Sequence, residues 1–254
     1  MYEQLYHQFS GIDDTHWWNI YRRELVGDLL KNTSFPEKSK ILDAGCGTGG
    51  NLRFLARYSS ELYGLDLSET AISFARQKNP GASIISGDIN NINNFYRPGF
   101  FNLITIFNVL YHVWVKNDYD VLKKIFDLLS PGGILILSEP AFRLLWRNHD
   151  LLDMGKTRYS RRELSGLLEQ CGFKIECATC FNSPSFFPAL ALKIAEIFLP
   201  APDPEKSQIK ELEINGALIS AAALYLLSFE RKIIKKFRSI PIGTTLLIKA
   251  RKPA

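Results

Sequence analysis

Ten residues, Ile41-Leu42-Asp43-Ala44-Gly45-Cys46-Gly47-Thr48-Gly49-Gly50, constrain what this chain can fold into more than any other stretch. An apolar run closes on a carboxylate, glycines follow at alternate positions, and residues 51–57 suit a helix. The pattern predicts a strand, a tight turn and a helix, the opening of a nucleotide-binding βαβ unit. Glycine is required in the turn because a Cβ would hold a ligand off the backbone and resist positive φ.

The decamer fits two cofactors. Gly45, Gly47 and Gly50 satisfy the dinucleotide pattern G-x-G-x-x-G, whereas Asp43, Gly45, Gly47 and Gly49 satisfy D-x-G-x-G-x-G. A dinucleotide brings a pyrophosphate, which wants backbone N–H groups and no nearby negative charge. S-adenosylmethionine (SAM) brings an α-ammonium and a sulfonium instead, so Asp43 favours SAM. Two later strand ends point the same way. Glu61–Asp66 reads as a short strand whose terminal acid is placed for ribose hydroxyls, with Ser68 capping a helix over Glu69–Lys78. Residues 82–89 read as a third strand ending in Gly87-Asp88. A nicotinamide cofactor has no task for Asp88, while SAM offers its adenine amino group.

With these residues in place, residues 38–183, and a last strand near 243–251, resemble a class I SAM-dependent methyltransferase. Residues 100–112 resemble that family's fourth strand and the loop after it, and residues 128–137 a helix end, a turn and the fifth strand. His16-Trp17-Trp18 with Arg22-Arg23, then Trp146-Arg147-Asn148-His149-Asp150 and Arg158-Tyr159-Ser160, are similar to a bacterial subgroup with unassigned acceptors. Where an acid would precede the histidine of the loop after the fourth strand, this chain has Tyr111.

The resemblance implies a Rossmann-like, doubly wound α/β fold with a mostly parallel seven-stranded sheet, an antiparallel last strand and a helical insertion before it. It implies one domain over 1–254: a helical cap (1–37), a SAM-binding core (38–183), the insertion (184–239) and the final strand (240–254). SAM contacts are expected from Asp43, Gly45, Cys46, Gly47, Gly49, Asp66, Leu67, Asp88, Ile89 and Asn108. The expected reaction is in-line methyl transfer to a small-molecule, sugar or lipid-linked acceptor. His112 is the candidate general base, and Trp17, His149 and Tyr159 are candidates for the acceptor side. No metal is expected. The competing readings are an NAD(P)-binding oxidoreductase and a non-catalytic protein that keeps the fold at a membrane surface.

Composition bounds the rest. The 254 residues, 46% of them hydrophobic, suffice for one large α/β domain. The first fourteen residues lack the basic start and apolar run of a signal peptide, and four cysteines make no disulfide framework, so a cytoplasmic setting is expected. Cys177 and Cys180 fall in a strand expected over 173–181, where alternation sends them to opposite faces. The net charge of +5 gathers after residue 200, at Arg231, Lys232, Lys235, Lys236 and Arg238, interleaved with Ile233, Ile234 and Phe237. That pattern suits either a solvated helix face or contact with anionic lipid at the inner face of a membrane. No nucleic-acid partner is expected. An N-terminal helix is expected over 16–31, a capping box at Ser160 and Glu163 for a helix over Arg161–Gln170, and a last strand over 242–250. Two apolar stretches, 186–199 and 216–229, flank the polar, proline-bearing segment 200–210 and are too short to span a bilayer.

Overall fold

Seven strands make one sheet in the order β3-β2-β1-β4-β5-β7-β6 in the computed structural model, which describes residues 3–36, 38–196, 198 and 217–254. The strands are β1 (Lys40–Ala44), β2 (Glu61–Asp66), β3 (Ser83–Ser86), β4 (Phe101–Phe107), β5 (Leu129–Pro140), β6 (Lys174–Phe181) and β7 (Thr245–Arg251). β7 runs antiparallel to both β5 and β6, and the other pairings are parallel. This is the expected doubly wound sheet with its antiparallel last strand. The segment 200–210 and the junction at 216 lie outside the described residues.

Alternation along the central strands builds two cores. On β5, Leu135 and Leu137 join one cluster while Ile134 and Ile136 join the other; on β1, Leu42 and Ile41 divide in the same way. Strands buried on both faces need helices on both faces. Helices α5 (Asp118–Leu128) and α7 (Arg161–Gln170) cover one with Leu122, Ile125, Leu164 and Leu168. The other is covered by α2 (Trp17–Leu30), α3 (Gly50–Leu55), α4 (Glu69–Lys78) and α9 (Ala217–Phe237).

The strand order reverses between β1 and β4, and in such sheets ligands sit outside the carboxyl ends at that point. Three helices lie over this edge: α1 (Glu3–Ile12), α6 (Asn148–Leu152) and α8 (Phe186–Glu196). α1 lies within the helical cap expected over 1–37, ahead of the helix expected over 16–31. β3 stops at Ser86, short of the expected end, because Asp88 takes the Asn90 N–H and caps a 3-10 turn over Ile89–Asn94. Ser160 caps α7 through the Glu163 N–H, but only half of the expected capping box forms, since the Glu163 carboxylate pairs with Arg143 instead. Cys177 and Cys180 are buried free thiols directed at the Arg238 and Pro241 carbonyls.

One buried carboxylate anchors α9. Glu230 accepts hydrogen bonds from the Tyr21 hydroxyl (2.8 Å) and from the Asn182 and Ser183 N–H groups (2.8 and 2.6 Å), joining α9 to α2 and to the turn before α8. Arg231 then pairs with Glu24 and Asp28 of α2, and Lys235 with Asp28.

Candidate active site

The glycine turn takes its shape from its neighbours. Gly45 has φ +83°, and a Cβ there would lie 2.2 Å from Val109 Cγ2, so only glycine fits. Gly47 has φ +51° with open space where its Cβ would point, and it lines a cavity of about 1180 Å³ along the carboxyl edge of the sheet. Its N–H donates to Asp66 Oδ2 at 2.8 Å, while the Ser68 N–H takes Oδ1 at 3.0 Å. The end of β2 is thereby fixed against the turn after β1. Burial pushes the Asp66 pKa up, against the pull of these N–H groups.

Of the ten residues expected to meet the cofactor, Gly45, Gly47, Asp66, Leu67, Asp88, Ile89 and Asn108 line the cavity. Asp43, Cys46 and Gly49 do not reach its wall. Cys46 packs into the core below, and Gly49 sits at the amino end of α3. Asp43 is wholly buried one layer down, with Oδ1 accepting from the Thr105 hydroxyl at 2.6 Å. Its Oδ2 has no partner among the described residues, and neither has Asn108 Oδ1. Burial raises the Asp43 pKa to about 7. Buried polar atoms without partners are costly, and Asp43 Oδ2 and Asn108 Oδ1 are both oxygens with room for a donor. That suits a cofactor carrying an ammonium and hydroxyls better than one carrying a pyrophosphate.

The loop after β4 is held by a residue that sequence reasoning did not single out. Glu139, fully buried near the end of β5, accepts from three successive N–H groups: Val109 (3.1 Å), Leu110 (2.9 Å) and Tyr111 (3.3 Å). A strand-end acid after the apolar run 134–137 was the available signal. The next residue is His112. Its ring stacks on Trp114 at 5.6 Å and lies 4.1 Å from the Tyr111 ring, on the cavity wall. His112 Nδ1 is buried with no partner among the described residues, and burial lowers its pKa.

The opposite wall comes from α1, α2, α6 and α8. His16 caps α2 by accepting the Trp18 N–H at Nδ1 (3.3 Å), and Trp17 and Trp18 follow it along the cavity. Asp13 fastens this cap to the glycine turn, because its Oδ2 accepts from Thr48 Oγ1 and the Gly50 N–H, both at 2.9 Å. Arg22 is buried between the Trp18 and Phe107 rings, 4.5 and 4.7 Å from their centroids. From α6, His149 reaches the cavity and lies 3.0 Å from Asp153. Tyr159, expected on the acceptor side, does not line the wall. It is 1% exposed, and its hydroxyl lies 3.0 Å from the Leu110 carbonyl and 2.8 Å from Asp118. Among the described residues no group of three or more His, Cys, Asp or Glu side chains is placed to hold a metal.

Comparison with known proteins agrees with this geometry. A family model described as a methyltransferase domain matches residues 18–178. The chain is 38% identical over 108 residues to YqeM of Bacillus subtilis, covering 41% of this chain and 43% of that one. It is 29% identical over 179 residues to the malonyl-[acyl-carrier protein] O-methyltransferase of Enterobacter lignolyticus, covering 68% and 69% of the two chains. In fold it is similar to Haemonchus contortus phosphoethanolamine N-methyltransferase 2 in complex with SAM, with a TM-score of 0.63 and 16% identity over 100% of this chain and 58% of that one. The matched segments thus span 43% to 69% of these two curated relatives. A glycine turn flanked by strand-end acids, on a seven-stranded sheet with an antiparallel last strand, places this chain in the class I SAM-dependent methyltransferase family.

Proposed function

We propose that the chain moves the methyl group of SAM to a small-molecule acceptor held between the sheet edge and helices α6 and α8. One observation carries this reading: Asp66 and Asp88 share a cavity wall with Gly45 and Gly47, and the same cavity continues to His112 and His149. Asp66 accepts the ribose hydroxyls with the lone pairs its two N–H partners leave free, and Asp88 accepts the adenine amino group. Gly47 admits close approach of the ligand to the backbone, and Asn108 Oδ1 supplies a further acceptor. Asp43, one layer below, contributes negative potential under the α-ammonium.

Bound SAM supplies an electrophilic methyl on a sulfonium. The protein's part is to align the nucleophile, exclude water and take a proton. Trp17 and Trp18 close the cofactor side, and neutral His112 takes the acceptor's proton. The cavity exceeds the usual upper size of a small-ligand pocket, about 1,000 Å³, which leaves room for cofactor and acceptor together. The apolar wall of Pro188, Ala189 and Leu192 supports a lipid-linked acceptor over a bare sugar.

Calorimetry tests the cofactor assignment directly. SAM and S-adenosylhomocysteine are expected to bind in the micromolar range, on the order of −8 kcal/mol, and NAD to give no heat. Asp66→Ala should cost about 1.5–3 kcal/mol of SAM affinity through lost charge-assisted bonds. Heat from NAD with none from SAM would overturn the assignment, and an unchanged Asp66→Ala affinity would move the ribose elsewhere.

A further inference from the structure

We infer that the outer face of α9 is a docking surface for an anionic lipid bilayer. The helix has two faces put to opposite uses. Leu227, Glu230 and Ile234 are buried inward, and Arg231 and Lys235 turn to the acids of α2. Tyr225, Leu226, Phe229, Ile233 and Phe237 all face outward and are 46–66% exposed. Their spacing makes one continuous apolar stripe, about 18 Å long at 1.5 Å per residue.

Lysines flank the stripe. Lys232 and Lys236 lie on the same exposed face, each ammonium 5.2 Å from a stripe ring, those of Phe229 and Phe237. The only acid in α9 is Glu230, which is buried, and the only acid in α8 is Glu196, which is paired with Arg147. An apolar helix face flanked by lysines, with no exposed acid of its own, is complementary to the boundary between acyl chains and anionic headgroups, where lysine stems extend beside the rings and ammonium groups reach the lipid phosphates. The stripe sits on one convex helix, which suits a flat interface better than a groove-binding partner. No helix among the described residues is long and apolar enough to cross a membrane, so the contact lies in the plane of the surface.

The surface borders the cavity. α8 and α9 both pack on the turn at Ser183–Ser185, and α8 exposes Phe187 and Ile194 while Pro188 and Ala189 face the cavity. Leu192 belongs to the cavity wall yet is 51% exposed, which marks an apolar mouth. A docked molecule would draw an amphipathic acceptor from the bilayer through that mouth. This consequence rests on the methyl-transfer reading; the docking does not.

The test is co-sedimentation of the full chain with phosphatidylcholine vesicles, with and without phosphatidylserine, at low salt. Binding is expected only with phosphatidylserine and should be lost at high salt. Each lysine near such a surface contributes roughly fivefold, so the double variant Lys232→Gln and Lys236→Gln should bind about 25-fold more weakly. Phe229→Ser with Ile233→Ser should abolish binding. Both variants should titrate SAM as the wild type does, which shows that they fold. Wild-type protein left in the supernatant, or variants that bind vesicles like the wild type, overturns the proposal. A wild-type dimer that these serine changes convert to monomer also overturns it, in favour of a second copy of the chain. Loss of SAM binding with vesicle binding intact would instead strike the cofactor reading alone.

Discussion

Alanine at position 112 is expected to lower turnover by about 10²–10⁴ while SAM affinity stays unchanged. The expectation follows from where the ring is held. Glu139 fixes the three residues before it, the Trp114 ring stacks on it, and the Val113 N–H donates to the Met154 carbonyl across the cavity edge. Nδ1 is buried without a partner among the described residues, while the ring itself lines the cavity wall. Burial disfavours the imidazolium and lowers the pKa below 6.5, so His112 is neutral at pH 7. The sign is fixed by this shift: turnover should fall only on the acid side, through an apparent pKa below 6.5, and the His112→Ala variant should lack that limb. A purely structural histidine gives another outcome, a lower melting temperature with turnover per folded molecule preserved. Melting, SAM titration and the pH profile together separate the two.

Much of this site was legible because it depends on local chemistry. β2 and α4 have the bounds the sequence suggested, since strand alternation, the acid at Asp66 and the cap at Ser68 are near neighbours in the chain. The same holds for Gly45 and Gly47, whose backbone demands are written into residue type. What was not legible depends on distant partners. Five basic residues near the end of α9 read as one surface, yet Arg231 and Lys235 are drawn to Glu24 and Asp28, some two hundred positions earlier. Of the three that remain, Lys232 and Lys236 hold their ammonium groups beside rings of the apolar stripe. Tyr159 read as an acceptor-side residue, but its hydroxyl goes to Leu110 and Asp118, more than forty positions away. Asp13, just after α1, docks on a turn 35 residues later.

Glu139→Ala is expected to destabilise the protein by about 3–5 kcal/mol, since each N–H left unsatisfied costs about 1–3 kcal/mol, and to lower turnover beyond the loss of folded molecules. The carboxyl is wholly buried and satisfies three consecutive N–H groups, so its removal strands two buried donors and one part-buried donor and frees the loop that aims His112. Its ionisation adds a second signature. Burial raises the pKa of Glu139 to about 8 and that of Asp43 to about 7, from ordinary values of 4.5 and 3.8. At pH 3 both groups are protonated in the folded and unfolded chains, and burial costs little. As the pH rises the unfolded chain releases these protons first, so the folded state binds more, and stability falls progressively to about pH 8. Melting temperature measured from pH 5 to pH 8 should therefore decline for the wild type and decline less steeply for Glu139→Gln. The amide keeps one acceptor but sets its NH₂ against the remaining donors, so Glu139→Gln should lie between the wild type and Glu139→Ala in stability at pH 5. If Glu139→Ala melts like the wild type and turns over normally, the loop is held by its packing and not by this carboxyl.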